Sequence, residues 1–67
     1  MKIIVLHDRF DNEPIIISVD AINAIKKCFN ETEDSRDEYT SVQVGNYLFD
    51  VKEYIDVVMT RINNAER

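Results

Sequence analysis

The segment from Val42 to Ile62, VQVGNYLFDVKEYIDVVMTRI, runs an alternating stretch into a Gly45-Asn46 pair, then a second alternating stretch, then an apolar stripe at helical spacing. It reads as a β-hairpin that feeds a helix. A two-residue loop with Gly first suits a type II′ turn, whose first central residue has positive φ. That loop sets Val44 opposite Tyr47, Val42 opposite Phe49 and Thr40 opposite Val51, gathering them on one face, while Ser41, Gln43, Leu48 and Asp50 take the other. Turn chemistry and period-2 patterning therefore choose the same register. A slip of one residue would expose Phe49 and Tyr47. Cross-strand pairs of this kind contribute roughly 0.2–1 kcal/mol each, too little to hold a hairpin alone, so the face needs a cover.

The cover is the C-terminal segment. Ile55, Val58, Met59 and Ile62 recur at i, i+3, i+4 and i+7, the stripe of an amphipathic helix, with Lys52, Asp56, Thr60, Arg61 and Asn63 off it. Val51 and Tyr54 extend the apolar side, and Glu53 and Asp56 bring negative charge to the first turn, where the helix dipole favours it. Asp50 has the better capping chemistry but is needed in the strand, which leaves Glu53 as the cap. The helix is placed at about residues 53 to 65.

The N-terminal half offers another hairpin. Lys2 to His7 places Ile3 and Val5 on one side and Ile4 and Leu6 on the other, and Ile15 to Val19 holds three consecutive isoleucines. Both runs have the β-branched character of strands. The polar connector Asp8 to Pro14 joins them, and Pro14, which cannot donate a ladder hydrogen bond, belongs at the second strand's first position. Apolar side chains on both faces predict strands lying between the core and a second surface supplied by another subunit. Ile4, Leu6 and Ile16, together with Leu48, form the expected interaction surface. Asp20 then reads as the N-cap of a short helical turn through Ile25, followed by a third strand near Ile25 to Phe29. From Asn30 to Glu38 five acids, Glu31, Glu33, Asp34, Asp37 and Glu38, face one base, Arg36, without an apolar residue. This stretch reads as a solvated loop.

Sixty-seven residues make one domain with a small core. A single cysteine excludes an internal disulfide, and no Cys/His constellation offers a metal clip, so oligomerisation is the expected reinforcement. No segment has the length of a membrane span or the apolar region of a signal peptide, so membrane insertion is not expected and a cytoplasmic location is. Thirteen acids against eight bases, a net charge of −5, argue against direct nucleic-acid binding, which needs a clustered positive field. Lys26 and Lys27 form the only local basic pair and read as solvent-facing decoration.

No residue pattern marks a catalytic, cofactor-binding or metal site. His7 and Asp8 are adjacent in a strand and point to opposite faces, so they do not naturally meet. An enzyme would need a pocket joining His7 to a distant acid. Cys28 beside Lys26 and Lys27 lacks a partner base and reads as a small, half-buried apolar residue. The acidic stretch lacks the central Gly and alternating oxygen ligands of an EF-hand loop. Tyr39, Tyr47, Phe49 and Tyr54 read as core or interface side chains rather than as base-stacking platforms.

Asp20, Ile22 and Ile25, then Thr40, Val42, Val44, Gly45 and Asn46, then Val51, Lys52 and Glu53 followed by Val57 or Val58 and Ile62, occur in an order similar to the FlbD-like family of small proteins. The resemblance spans almost the whole chain, although Tyr54 stands where members often carry a serine, and the connector from Asn30 to Glu38 is longer and more acidic. The family implies a non-catalytic protein, encoded in flagellar operons by some members and in phage or mobile elements by others, and it supplies no catalytic residues. A more distant similarity to the DNA-binding LytTR arrangement lies in the order of elements, and the acidic surface argues against that activity here.

The expected fold is α+β: an antiparallel sheet of four to five strands, a short turn of helix after strand 2, and a C-terminal amphipathic helix on one face. The expected function is a non-catalytic protein-interaction or regulatory module that forms a homo-oligomer. The alternative is an acidic inhibitor or nucleic-acid mimic of phage origin, presenting Glu31, Glu33, Asp34, Asp37 and Glu38 to a basic groove of a partner.

Overall fold

The computed structural model describes residues 2–32 and 35–65. The hairpin at its centre joins β4 (Arg36–Val44) to β5 (Tyr47–Val51), in the register Val44↔Tyr47, Val42↔Phe49, Thr40↔Val51. Gly45 has φ 61° and Asn46 is not in the positive-φ region, as a type II′ turn requires. The turn has an additional brace. β3 (Ile22–Glu31) pairs antiparallel with β4 and shifts register between Ile22 and Ala24, and the Asn23 side chain there accepts a hydrogen bond from Gly45 N at 2.6 Å.

The β3–β4 hairpin reaches further than the sequence pattern suggests. Asn30 and Glu31 close β3, and Arg36, Asp37 and Glu38 open β4, so the expected acidic loop is largely paired strand. Thr32 N donates to Ser35 O at 2.8 Å across the tip. Glu33 and Asp34 lie outside the described residues. Polar side chains hid this extension because both faces of a projecting hairpin are solvated, which removes the apolar alternation that marks a half-buried strand. The projection accounts for the extents of 43 × 23 × 20 Å.

β1 (Ile3–His7) and β2 (Pro14–Ser18) form the other hairpin, with Pro14 at the strand's first position. Its connector is held by the Asp8 carboxylate, which accepts from Phe10 N and Asp11 N, and by Asn12 in the left-handed region at φ 62°. A 3₁₀ turn over Val19–Ala21 leads directly into β3. Ser18, not Asp20, is its N-cap residue.

The architecture is α+β, with five strands divided between two antiparallel sheets, β1–β2 and β3–β4–β5. Among the described residues, main-chain hydrogen bonds join the two sheets at one corner, where Asp8 bridges Val51, Arg9 N donates to Asp50 O and Lys52 N donates to His7 O. Pairing between β1 and β5 stops there because the chain turns away after Val51 to start α1 (Ile55–Ala65). That helix packs on β1 and β3.

Ile4, Leu6, Ile17, Val19, Val42, Val51 and Val58 make the buried core, with Ile62, Ile25 and Phe49 packed against it. Full burial of such side chains contributes about 1.5–3 kcal/mol each. Ile4 and Leu6 therefore belong to the core rather than to an outer surface, because they share the face that α1 covers, and Ile3 and Val5 take the outward positions. Tyr47 lies on the expected face but is 71% exposed, since it sits at the hairpin tip beyond the helix's reach. Met59 is also largely exposed, which narrows the buried stripe of α1 to Val58 with the half-buried Ile55 and Ile62.

Candidate functional site

The densest polar arrangement closes the free edge of β1. An edge strand leaves alternate main-chain groups unpaired. Asp50 O of β5 and Lys52 N just beyond it supply the first partners, for Arg9 N and His7 O, and side chains supply the next. Glu53 Oε1 accepts from His7 N at 2.9 Å, Glu53 Oε2 pairs with His7 Nδ1 at 2.7 Å, and Arg61 donates to both Val5 O at 2.7 Å and Glu53 Oε2 at 3.1 Å. A carboxylate and a guanidinium thus stand where a neighbouring strand would. Thr40, fully buried, donates its hydroxyl to Glu53 O at 2.7 Å and fixes the main chain at the strand-to-helix junction.

Glu53 is 8% exposed. Its burial alone pushes the carboxyl upward, but the hydrogen bonds from the His7 ring and main chain outweigh that, and the group sits below its ordinary value. An ionised carboxylate only accepts, so in this contact Nδ1 of His7 is the donor. Glu53 is accordingly not the helix cap expected of it. The acid that meets His7 lies 46 residues away, not at neighbouring Asp8, whose carboxylate is spent on its own turn. Strand alternation rules out the Asp8 partnership, but only tertiary packing brings in Glu53. The nearest sequence signal is an acid and a base at Glu53 and Arg61 on one helical approach, too common a pairing to single out.

An open cleft of about 520 Å³ lies along this edge, lined by Ile3, Ile4, Val5, His7, Arg61 and Asn64. A histidine oriented by a carboxylate has the chemistry of a general base. The residues beside it, Asn64 and the aliphatic side chains, bring no hydroxyl or thiol nucleophile to the cleft.

The expected interaction residues divide. Ile4 and Leu6 are core, whereas Ile16 and Leu48 are 69% and 67% exposed on different sheets. Ile16 pairs across the ladder with Val5, and with Ile3 they form an apolar strip on the outer face of β1–β2. Leu48 borders a second depression, about 340 Å³, with Ala24, Lys26, Cys28, Tyr39 and Asp50 on the outer face of β3–β5. Loss of hydration there, with Cys28 and Asp50 adding to it, pushes the Tyr39 hydroxyl up. The Arg9 guanidinium lies 4.2 Å from the Tyr39 ring centre and pairs with Asp37 at 2.9 Å, clamping the β1–β2 connector to β4.

Glu31, Asp37 and Glu38 do not form an unopposed acidic patch. Arg36 lies 3.3 Å from Glu31, Arg9 2.9 Å from Asp37 and Lys27 3.4 Å from Glu38. Among the described residues no group of three or more His, Cys, Asp and Glu is placed to hold a metal ion, and no helix is long and apolar enough to cross a membrane. Comparison with known protein families, curated proteins and solved structures finds no match to this chain.

Proposed function

We propose that this chain is a non-catalytic protein-interaction module, acting in the cytoplasm and associating with itself; the FlbD-like resemblance implies the non-catalytic part. The carrying observation is the outer face of β1–β2, where Ile16, Val5 and Ile3 lie exposed side by side while the opposite face is core. Contiguous apolar surface on a small domain marks a contact site. In this reading the His7–Glu53–Arg61 cluster is structural: both carboxylate oxygens are occupied in closing a strand edge. The acidic-inhibitor alternative draws less support, since Glu31, Asp37 and Glu38 each have a cation beside them.

Light scattering at two concentrations and two salt levels tests the proposal. A mass above that of one chain at high concentration, unchanged or larger at higher salt, supports it. A single-chain mass throughout, with salt-sensitive capture of a basic protein, would favour the alternative.

A further inference from the structure

Hydrogen bonds at the two ends of the β1–β2 ladder fix its phase. Val19 N donates to Lys2 O at 3.0 Å and Asp8 N to Glu13 O at 2.9 Å. Paired and unpaired positions alternate in an antiparallel ladder, so Ile15 and Ile17 turn their main-chain groups toward β1, and Pro14, Ile16 and Ser18 turn theirs away. The outward set is short. Pro14 has no N–H, and Ser18, as the N-cap, commits its carbonyl to the 3₁₀ turn. What faces out is the Pro14 carbonyl, both groups of Ile16, and the Ser18 N–H, with no partner among the described residues.

That set is its own complement. An antiparallel copy related by a two-fold axis at Ile16 places Ile16 against Ile16 and Ser18 against Pro14. Every outward donor then meets an outward acceptor, and none is left over. The absent Pro14 N–H falls where the Ser18 carbonyl is already engaged. The same axis sets the Ile16 side chains beside each other, flanked by Val5 of each copy, so the two apolar strips become one.

The other edges are unsuited to this. β1 is blocked from His7 to Val5 by Lys52, Glu53 and Arg61. β3 is irregular at Asn23 and carries Lys27 and Glu31, and β5 shares its end with β1. β2 alone is regular and uncharged, lacking the lysines and bulges that protect edges from pairing. We infer that two copies of this chain pair edge to edge through β2 about a two-fold axis at Ile16, forming a continuous four-stranded sheet. The inference rests on the self-association reading and specifies its edge, register and stoichiometry.

The test combines mass with register. Ile16→Pro removes an N–H that the single chain does not use, at an edge position that tolerates proline. Ile16→Lys instead sets two like charges together. Both should remain folded by circular dichroism and associate at least tenfold more weakly than the native chain. In a Cys28→Ser background, Ile16→Cys should cross-link with itself, because paired Cα atoms about 5.5 Å apart lie within disulfide reach. Ser18→Cys should not, since four residues of offset separate its copies by about 13 Å. If Ile16→Pro fails to fold, Ile16→Lys and the cross-linking decide. Dimers that survive Ile16→Lys without cross-linking at position 16 would overturn this edge while leaving self-association standing. A native chain monomeric at every concentration would remove both, and open-ended assemblies would overturn the closed pair.

Discussion

Replacing Glu53 with alanine removes the carboxylate that serves His7 N, His7 Nδ1 and Arg61 at 2.9, 2.7 and 3.1 Å. Hydrogen bonds to charged groups contribute about 1.5–3 kcal/mol each, but these share one carboxylate and water can reach the half-exposed His7 ring, so the losses do not add. The main penalty is the His7 N–H left without an acceptor and an Arg61 that has lost its counter-charge. Together these cost about 2–4 kcal/mol. A domain of this size has a total stability of roughly 3–10 kcal/mol, so the melting temperature should fall by some 10–25 °C. Glu53→Gln retains an acceptor for His7 N and should cost about half as much. Acidification gives an independent readout. Because the folded-state value of Glu53 is depressed, its stabilisation is fully present above the unfolded value near 4.5 and is lost as pH falls through the lower folded value. The native chain should therefore lose stability on acidification more steeply than Glu53→Gln. Denaturant melts of the native and substituted chains supply both numbers. A loss below about 0.5 kcal/mol for Glu53→Ala, the scale of ordinary surface substitutions, would refute the view that this carboxylate closes the strand edge.

Further outcomes follow from the same geometry. Thr40→Val deletes the buried hydroxyl that serves Glu53 O and should cost about 1–2 kcal/mol in thermal or chemical melts. Gly45→Ala should cost a similar ~1–2 kcal/mol through its φ of 61° alone, because no atom lies within 4 Å of the added methyl. Leu6→Ala, in the core, should lose about 2–5 kcal/mol, whereas Ile16→Ala should leave the single chain's stability within about 0.5 kcal/mol, as denaturant titration at low protein concentration would measure.

The hairpin from Thr40 to Val51 was legible because two independent local signals, a Gly-first turn and period-2 alternation, agree on one register. The helix from Ile55 was legible from its stripe. The turn after β2 was legible in place but not in extent: it is capped by Ser18 rather than Asp20 and ends at Ala21, and Ile22 to Ile25, expected within it, already belong to β3. Assigning Ile4 and Leu6 was harder: with Ile3 and Val5 equally apolar, β1 alone does not state which face the helix covers. The hairpin's extension through Glu31 and Arg36 was hidden because its pairing is propagated from Thr40 and reinforced by cross-strand ion pairs, neither of which leaves an apolar period. The His7–Glu53 contact is a product of packing α1 across β1, and no spacing of residues encodes it.

Amide hydrogen exchange at His7 tests whether side chains of Glu53 and Arg61 stand in for a neighbouring strand along the edge of β1. The His7 amide should exchange about as slowly as that of Leu6 within the β1–β2 ladder, and Glu53→Ala should abolish this protection while leaving Leu6 slow. A His7 amide that exchanges in the native chain as fast as one in the exposed connector would contradict it.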